Sequence, residues 1–230
     1  MKILHLFSSK VFAGLERHIE ELSFEQSKNH EVVVIGPERF KHKFRADYTT
    51  INTNQWRYSP LLWLELRDAM ARINPEVVHT HGQKMTNFIK ADLHFSTIHG
   101  TKKNVAAFKK TQFIFGASKT SLEQIPQQKS MVLENWVDES RFYNFDKGSP
   151  QRYIYVGRLE PVKNPLRLLK AWKNINHKLD IYGDGSLKSK IIDFIKQNTL
   201  TDRVRLMGEE DDVKNTVSYT HLTLPTNREV

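Results

Sequence analysis

The sequence predicts an α/β protein with two parallel-sheet units, the second much shorter than the first. Three observations carry this. Short apolar runs alternate with amphipathic stretches along most of the 230 residues. A polar stretch bearing Gly and Pro, Asn144 to Gln151, interrupts the alternation, which then restarts. Several apolar runs end in a glycine-containing turn before a helical pattern, as in open parallel sheets covered on both faces.

In the first unit, strands are expected at 2–7, 31–35, 76–80, 94–98, 112–115 and 130–133. Helices are expected at 14–28, 60–73, 84–91 and 118–125. Leu15, Ile19 and Leu22 keep a helical spacing in the first of these. Pro60 suits a helix start, where its missing N–H costs nothing. Asn74-Pro75 ends that helix and leads into the next strand. After the break come strand 152–156, helix 163–173, strand 177–182, helix 186–198 and strand 203–207. The expected domains are therefore 1–146 and 147–216. Residues 217–230 have no core-forming period and read as a non-native tail, which implies a chain truncated near Asn215.

Composition narrows the functional classes. No apolar run approaches the roughly 20 residues that cross a bilayer, and the first apolar stretch is too short for a secretory leader. With no cysteine, thiolate metal sites and disulfides are excluded. A cytoplasmic protein is the expectation. The net charge of +9 is spread over both halves. Two basic clusters stand out, Arg39, Lys41, Lys43 and Arg45, then Lys102, Lys103, Lys109 and Lys110. Such surfaces attract phosphorylated ligands or anionic headgroups. Nucleic acid is not an expected partner, since no helix-turn-helix or aromatic-interleaved basic strand is present.

The residues suited to chemistry sit at strand ends. Tyr153 to Val156 runs into Gly157-Arg158, and Lys163 follows at a helix start. A planar guanidinium, a compact ammonium and a helix N-terminus suit a diphosphate. The loop Ser8 to Gly14 is a second candidate phosphate cradle, although it carries neither a Walker A nor a dinucleotide fingerprint. His79 and His81 lie two apart at the end of one strand and so share a face. No carboxylate or third His follows them at a suitable spacing, so they are expected to line a site and no metal is expected. His99 ends the next strand beside Gly100. Gly183 and Gly185 form a turn where a ligand can approach the backbone.

Taken in order, these segments resemble glycosyltransferase family 4, the retaining enzymes of the GT-B fold. The pieces are Phe12 to His18, Val77 to Gly82, Thr97 to Thr101, Gly116 to Ser118, Glu134 to Asp138 with Phe142, Val156 to Asn164, Ile181 to Gly185 with Leu187, and Arg203 to Gly208. The resemblance implies two Rossmann-like domains facing across a cleft. It implies a nucleotide-sugar donor whose diphosphate is held by Arg158, Lys163 and the loop at Gly14, with Gly157, Gly183 and Gly185 lining the donor site. His99 would contact the reacting sugar, and Glu16, His79 and His81 are acceptor-site candidates. The acceptor would be a cell-surface glycan or lipopolysaccharide-type lipid, with Lys102 to Lys110 touching an anionic membrane at its inner face. No cofactor is implied beyond the co-substrate. Two departures are visible, Ala13 before Gly14 where the family has Gly, and Trp136 where it has Gly. The family's downstream pair of glutamates is absent. A non-catalytic nucleotide-binding module and a nucleotide-sugar epimerase of the same fold are the alternatives.

Overall fold

The computed structural model describes residues 1–101, 104–136 and 152–210. The chain divides into two compact units, Met1–Val137 and Asp138–Val230. The interrupting stretch at 144–151 and the tail at 217–230 lie outside the described residues, as do Lys102 and Lys103.

Seven strands build the first unit: β1 (Lys2–Phe7), β2 (Glu31–Gly36), β3 (Asp47–Thr50), β4 (Val77–His81), β5 (His94–Ile98), β6 (Phe113–Gly116) and β7 (Ser130–Val132). Every pairing is parallel and the order is β3-β2-β1-β4-β5-β6-β7. The strand order reverses between β1 and β4, the switch point where ligands of such sheets bind. Three helices cover the sheet: α1 (Gly14–Ser27), α2 (Pro60–Ile73) and α3 (Gln83–Phe88).

Strand alternation sorts the two faces. Leu4, Leu6 and Val78 point to one side and pack on Leu62, Leu66 and Ala69 of α2 and Met85 of α3. Ile3, Phe7, Val32 and Val34 point to the other and pack on Ile19 of α1. Ser59 caps α2 by accepting from the Leu62 amide at 3.2 Å, and Pro60 takes the first helical position as expected. Asn74 ends α2 in the left-handed region, with φ 48°.

In the first unit the structure corrects the sequence reading at two elements. The expected helix 118–125 is only a 3-10 turn at Thr120–Leu122. The hydroxyls of Ser118 and Ser121 bond to nearby backbone groups and compete with helical pairing there. An unforeseen edge strand, β3, follows the first basic cluster. It is four residues long and half polar, too short to show alternation. The cluster itself is largely engaged. Arg45 pairs with Glu20 and lies 3.6 Å over the Phe24 ring. Arg39 donates to the Ser9 carbonyl, and the Lys43 ammonium sits 5.3 Å from the Phe12 ring centre.

The second unit has a three-stranded parallel sheet, β8 (Tyr153–Val156), β9 (Leu179–Tyr182) and β10 (Val204–Gly208), in the order β10-β9-β8. Helices α4 (Pro165–Trp172) and α5 (Lys188–Gln197) supply Leu169, Trp172, Ile191 and Ile195 to its core. Asp180 is buried in β9 and takes both guanidinium arms of Arg152 at 2.6 Å. This fork satisfies a carboxylate that would be costly to bury alone.

Gly183 has φ +139°, and a Cβ there would collide with the Gly157 carbonyl. Gly183→Ala should therefore destabilise the second unit by about 1–3 kcal/mol. Urea denaturation of the full chain, followed through the exchange-resistant amides of β8 and β9, measures this. Gly14→Ala should change stability little, because a Cβ at Gly14 meets nothing within 4 Å.

Candidate functional site

The switch point of the first sheet holds a buried histidine cluster. His5 of β1 is in register with His79 of β4, so both rings emerge on the same face. Their ring centres are 5.2 Å apart. His81, two residues further along β4, stacks on His79 at 4.3 Å. A hydrogen-bonded chain runs through the rings. Gln26 Oε1 lies 2.7 Å from His5 Nε2. His5 Nδ1 lies 3.0 Å from His81 Nε2, and His81 Nδ1 lies 3.1 Å from His99 Nε2. His79 Nε2 pairs with the Thr97 hydroxyl at 2.7 Å. His18 descends from α1 onto the same cluster, its ring 4.9 Å from His99 and 4.7 Å from Trp136.

Burial favours the neutral form of His5, His18, His79 and His81. It pushes His5 down to about 4, against the opposing effect of the Gln26 hydrogen bond. His79 and His81 fall well below the usual imidazole range, first from burial and then from the neighbouring imidazoles. Burial also lowers His18. Asn135 lies near enough to oppose that, but makes no hydrogen bond of ordinary geometry to the ring.

Of the expected residues in this unit, the structure brings His79, His81 and His99 together. Glu16 makes a local contact. It is 2% exposed and its Oε2 accepts from the Ala13 amide at 2.7 Å, which holds the start of α1. That fills the place of a capping side chain, which Ala13 lacks. Gly14 opens α1 next to open space. His5 and His18 were missed. The first was detectable, since its parity in β1 matches that of His79 in β4. The second comes from a helix far away in sequence.

The unit also holds a cavity of about 750 Å³ lined in part by Arg57, Tyr58, Trp63, Lys84, Asn87 and Phe88. Lys84 forms its floor by donating to the carbonyls of Thr53 and Gln55, which ties α3 to the loop before α2. Burial, and then the nearby Arg57, lower the Lys84 ammonium below its ordinary value. Trp63 is 47% exposed and Tyr58 67% exposed. Aromatic faces beside amides and cations suit a hydroxylated ring.

In the second unit, β8 leads into Gly157-Arg158 as expected. Lys163 ends a 3-10 turn at Pro161–Lys163 rather than opening a helix, because Asn164 turns left-handed at φ 47° and Pro165 starts α4. Arg158 and Lys163 are exposed, and neither forms an ion pair among the described residues. Around them the loops are fixed. Glu160 accepts from the amide and hydroxyl of Ser186 at 3.0 and 2.7 Å. Those bonds, helped by Arg158, hold its carboxyl below the usual range. The space a Cβ would need at Gly183 and Gly185 is taken by the backbones of Gly157 and Leu159. These glycines thus permit the two loops to pack.

The neutral histidines give a signed pH dependence. A base whose folded-state pKa is depressed adds stability that is fully present above its unfolded value. For His5 that stability is lost as pH falls from 6.5 through about 4. The loss from this one ring is on the order of 3 kcal/mol. Thermal denaturation across this window should show a falling melting temperature, with a shallower slope in His5→Gln.

Comparisons with known proteins bear on the fold and on the second unit's sequence. The profile for glycosyl transferases group 1 matches residues 137–228. A curated relative, the uncharacterized glycosyltransferase MJ1178 of Methanocaldococcus jannaschii, is 29% identical over 92 residues. That match takes in 40% of this chain and about a quarter of the relative's length. A glycosyltransferase structure from Rickettsia africae superposes on 95% of this chain and 71% of its own, with 19% identity and a TM-score of 0.73. Anabaena Alr3699/HepE with UDP-glucose superposes on 94% of this chain and 71% of its own, with 15% identity and a TM-score of 0.74. The lipopolysaccharide outer core galactosyltransferase WaaB covers 94% and 70%, with 20% identity and a TM-score of 0.64. The chain has the parallel-sheet GT-B fold of glycosyltransferases, and its residues 137–228 carry the match to the group 1 family.

Proposed function

We propose that this chain serves a retaining glycosyltransferase that moves a sugar from a nucleotide-sugar to a glycan or lipopolysaccharide-type acceptor. The observation that carries the reading is the loop after β8. It offers two exposed cations, Arg158 and Lys163, without ion-pair partners among the described residues, inside the segment that matches the family. A strand end with a fork and a point charge binds the donor diphosphate. It stabilises the charge that develops there as the sugar–oxygen bond breaks. In this reading the transfer itself uses no metal. The HepE complexes with UDP and UDP-glucose support a nucleotide-sugar as donor. His99, at the partly exposed end of the histidine chain, contacts the sugar, and Gly14 belongs to the loop that approaches the phosphates.

The cavity beside Trp63 and Tyr58 is the acceptor pocket in this reading. Its rim also includes Asn104, Ala106 and Ala107, next to the exposed Lys109 and Lys110. That neighbourhood supports an acceptor presented at an anionic surface, with the protein held peripherally on the inner face of a membrane.

Arg158→Ala and Lys163→Ala should each weaken UDP binding to the full chain by about tenfold or more, measured by calorimetry. Affinity equal to that of the unaltered chain in both variants would remove the diphosphate assignment. Trp63→Ala should raise the acceptor KM about tenfold while leaving UDP affinity unchanged. Neutralising Lys109 and Lys110 should cut binding to vesicles rich in phosphatidylglycerol by about 1 kcal/mol per lysine, read by co-sedimentation.

A further inference from the structure

The histidine cluster contains a donor set that the hydrogen-bonded chain leaves incomplete. His18 is 4% exposed, and neither of its ring nitrogens has a hydrogen-bond partner among the described residues. A buried polar group left this way calls for a missing partner. The rings beside it are His81 and His99, and one nitrogen from each of the three lies within 4.8 Å of the others.

The chain fixes which nitrogen His81 presents. Gln26 Oε1 accepts from His5 Nε2–H, so His5 Nδ1 carries a lone pair. That lone pair accepts from His81 Nε2–H, which leaves the lone pair of His81 on Nδ1, facing His99. A ligating imidazole whose other N–H is held by an acceptor is the usual support for a metal-bound histidine. The present spacing of His81 Nδ1 and His99 Nε2 is 3.1 Å. Two nitrogens on one tetrahedral zinc ion stand about 3.3 Å apart, so a small opening of that pair admits the ion.

The neighbouring triad, His5, His79 and His81, is also close enough to hold an ion. Most of its nitrogens are already committed, to Gln26, Thr97, His99 and one another, and its three rings are buried. Only the outer triad combines an unpartnered ring with a partly exposed one, His99, as an entry path.

We infer that His18, His81 and His99 form a binding site for one divalent transition-metal ion that favours imidazole, with Zn²⁺ as the reference ion. Three neutral nitrogens and no carboxylate exclude a Mg²⁺ or Ca²⁺ preference. A water completes the tetrahedron. Binding moves the proton of His99 from Nε2 to Nδ1, a change of tautomer with no net proton released. On the transferase reading the ion withdraws His99 from the sugar and acts as a brake. Metal binding itself does not depend on that reading.

The test uses the purified full chain, stripped with EDTA and titrated with Zn²⁺ against a chromogenic chelator. One equivalent should bind, and Co²⁺ should give tetrahedral ligand-field bands. His18→Ala and His99→Ala should each weaken binding by about tenfold or more, while His42→Ala, an exposed site, should not. Absence of binding, or unchanged affinity in both variants, overturns the site. If a variant fails to fold, carbethoxylation of the unaltered chain decides. Zn²⁺ should protect His99 by mass spectrometry, and equal modification with and without Zn²⁺ overturns the site.

Discussion

The pairing of β1 with β4 is the constraint on which the first unit depends. It inserts the N-terminal strand into the middle of an all-parallel sheet and creates the reversal of strand order. A strand in that place must satisfy both faces. One face does so with Leu4 and Leu6 under α2. The other mixes Ile3 and Phe7 with His5, and the imidazole is tolerable only because His81 and Gln26 take its nitrogens. The same pairing thus sets the core, the switch point and the protonation state of the rings around it.

The second unit solves a different problem. Its sheet has three strands among the described residues, and its loops at the strand ends pack backbone against backbone. Gly183 and Gly185, with φ of +139° and +156°, make that approach possible. Glu160 then bridges to Ser186, and Leu159 exchanges backbone bonds with Asp184 and Leu187. The result is that the loop carrying Arg158 is tied by its neighbours Leu159 and Glu160 to the loop after β9.

Much of this was legible in the sequence because strand ends and turns are local. The apolar runs located six of the first unit's strands and all three of the second unit's, and Pro60 and Asn74 marked the ends of α2. The short β3 was invisible because four half-polar residues carry no period. The turn at 118–125 was read as a helix because its serines bond to the backbone in a way that periodicity does not register. At the candidate site, Arg158 and His99 were singled out from their places at strand ends, and Lys163 from its expected place at a helix start. The cavity at Trp63 and the arrival of His18 were not, since both depend on which elements the fold lays side by side. A third imidazole was sought near His79 and His81 in sequence, whereas the structure supplies it from β1, α1 and the end of β5.

The Glu160–Ser186 bridge also bears on motion. The Leu159 amide bonds to the Asp184 carbonyl, and the Leu187 amide returns to the Leu159 carbonyl. The loop after β8 and the loop after β9 are therefore laced in both directions. Neither can open without breaking the bonds of the other, so they form one cooperative unit. A displacement of the Leu159 backbone reaches the start of α5, and these two loops rearrange together rather than one by one.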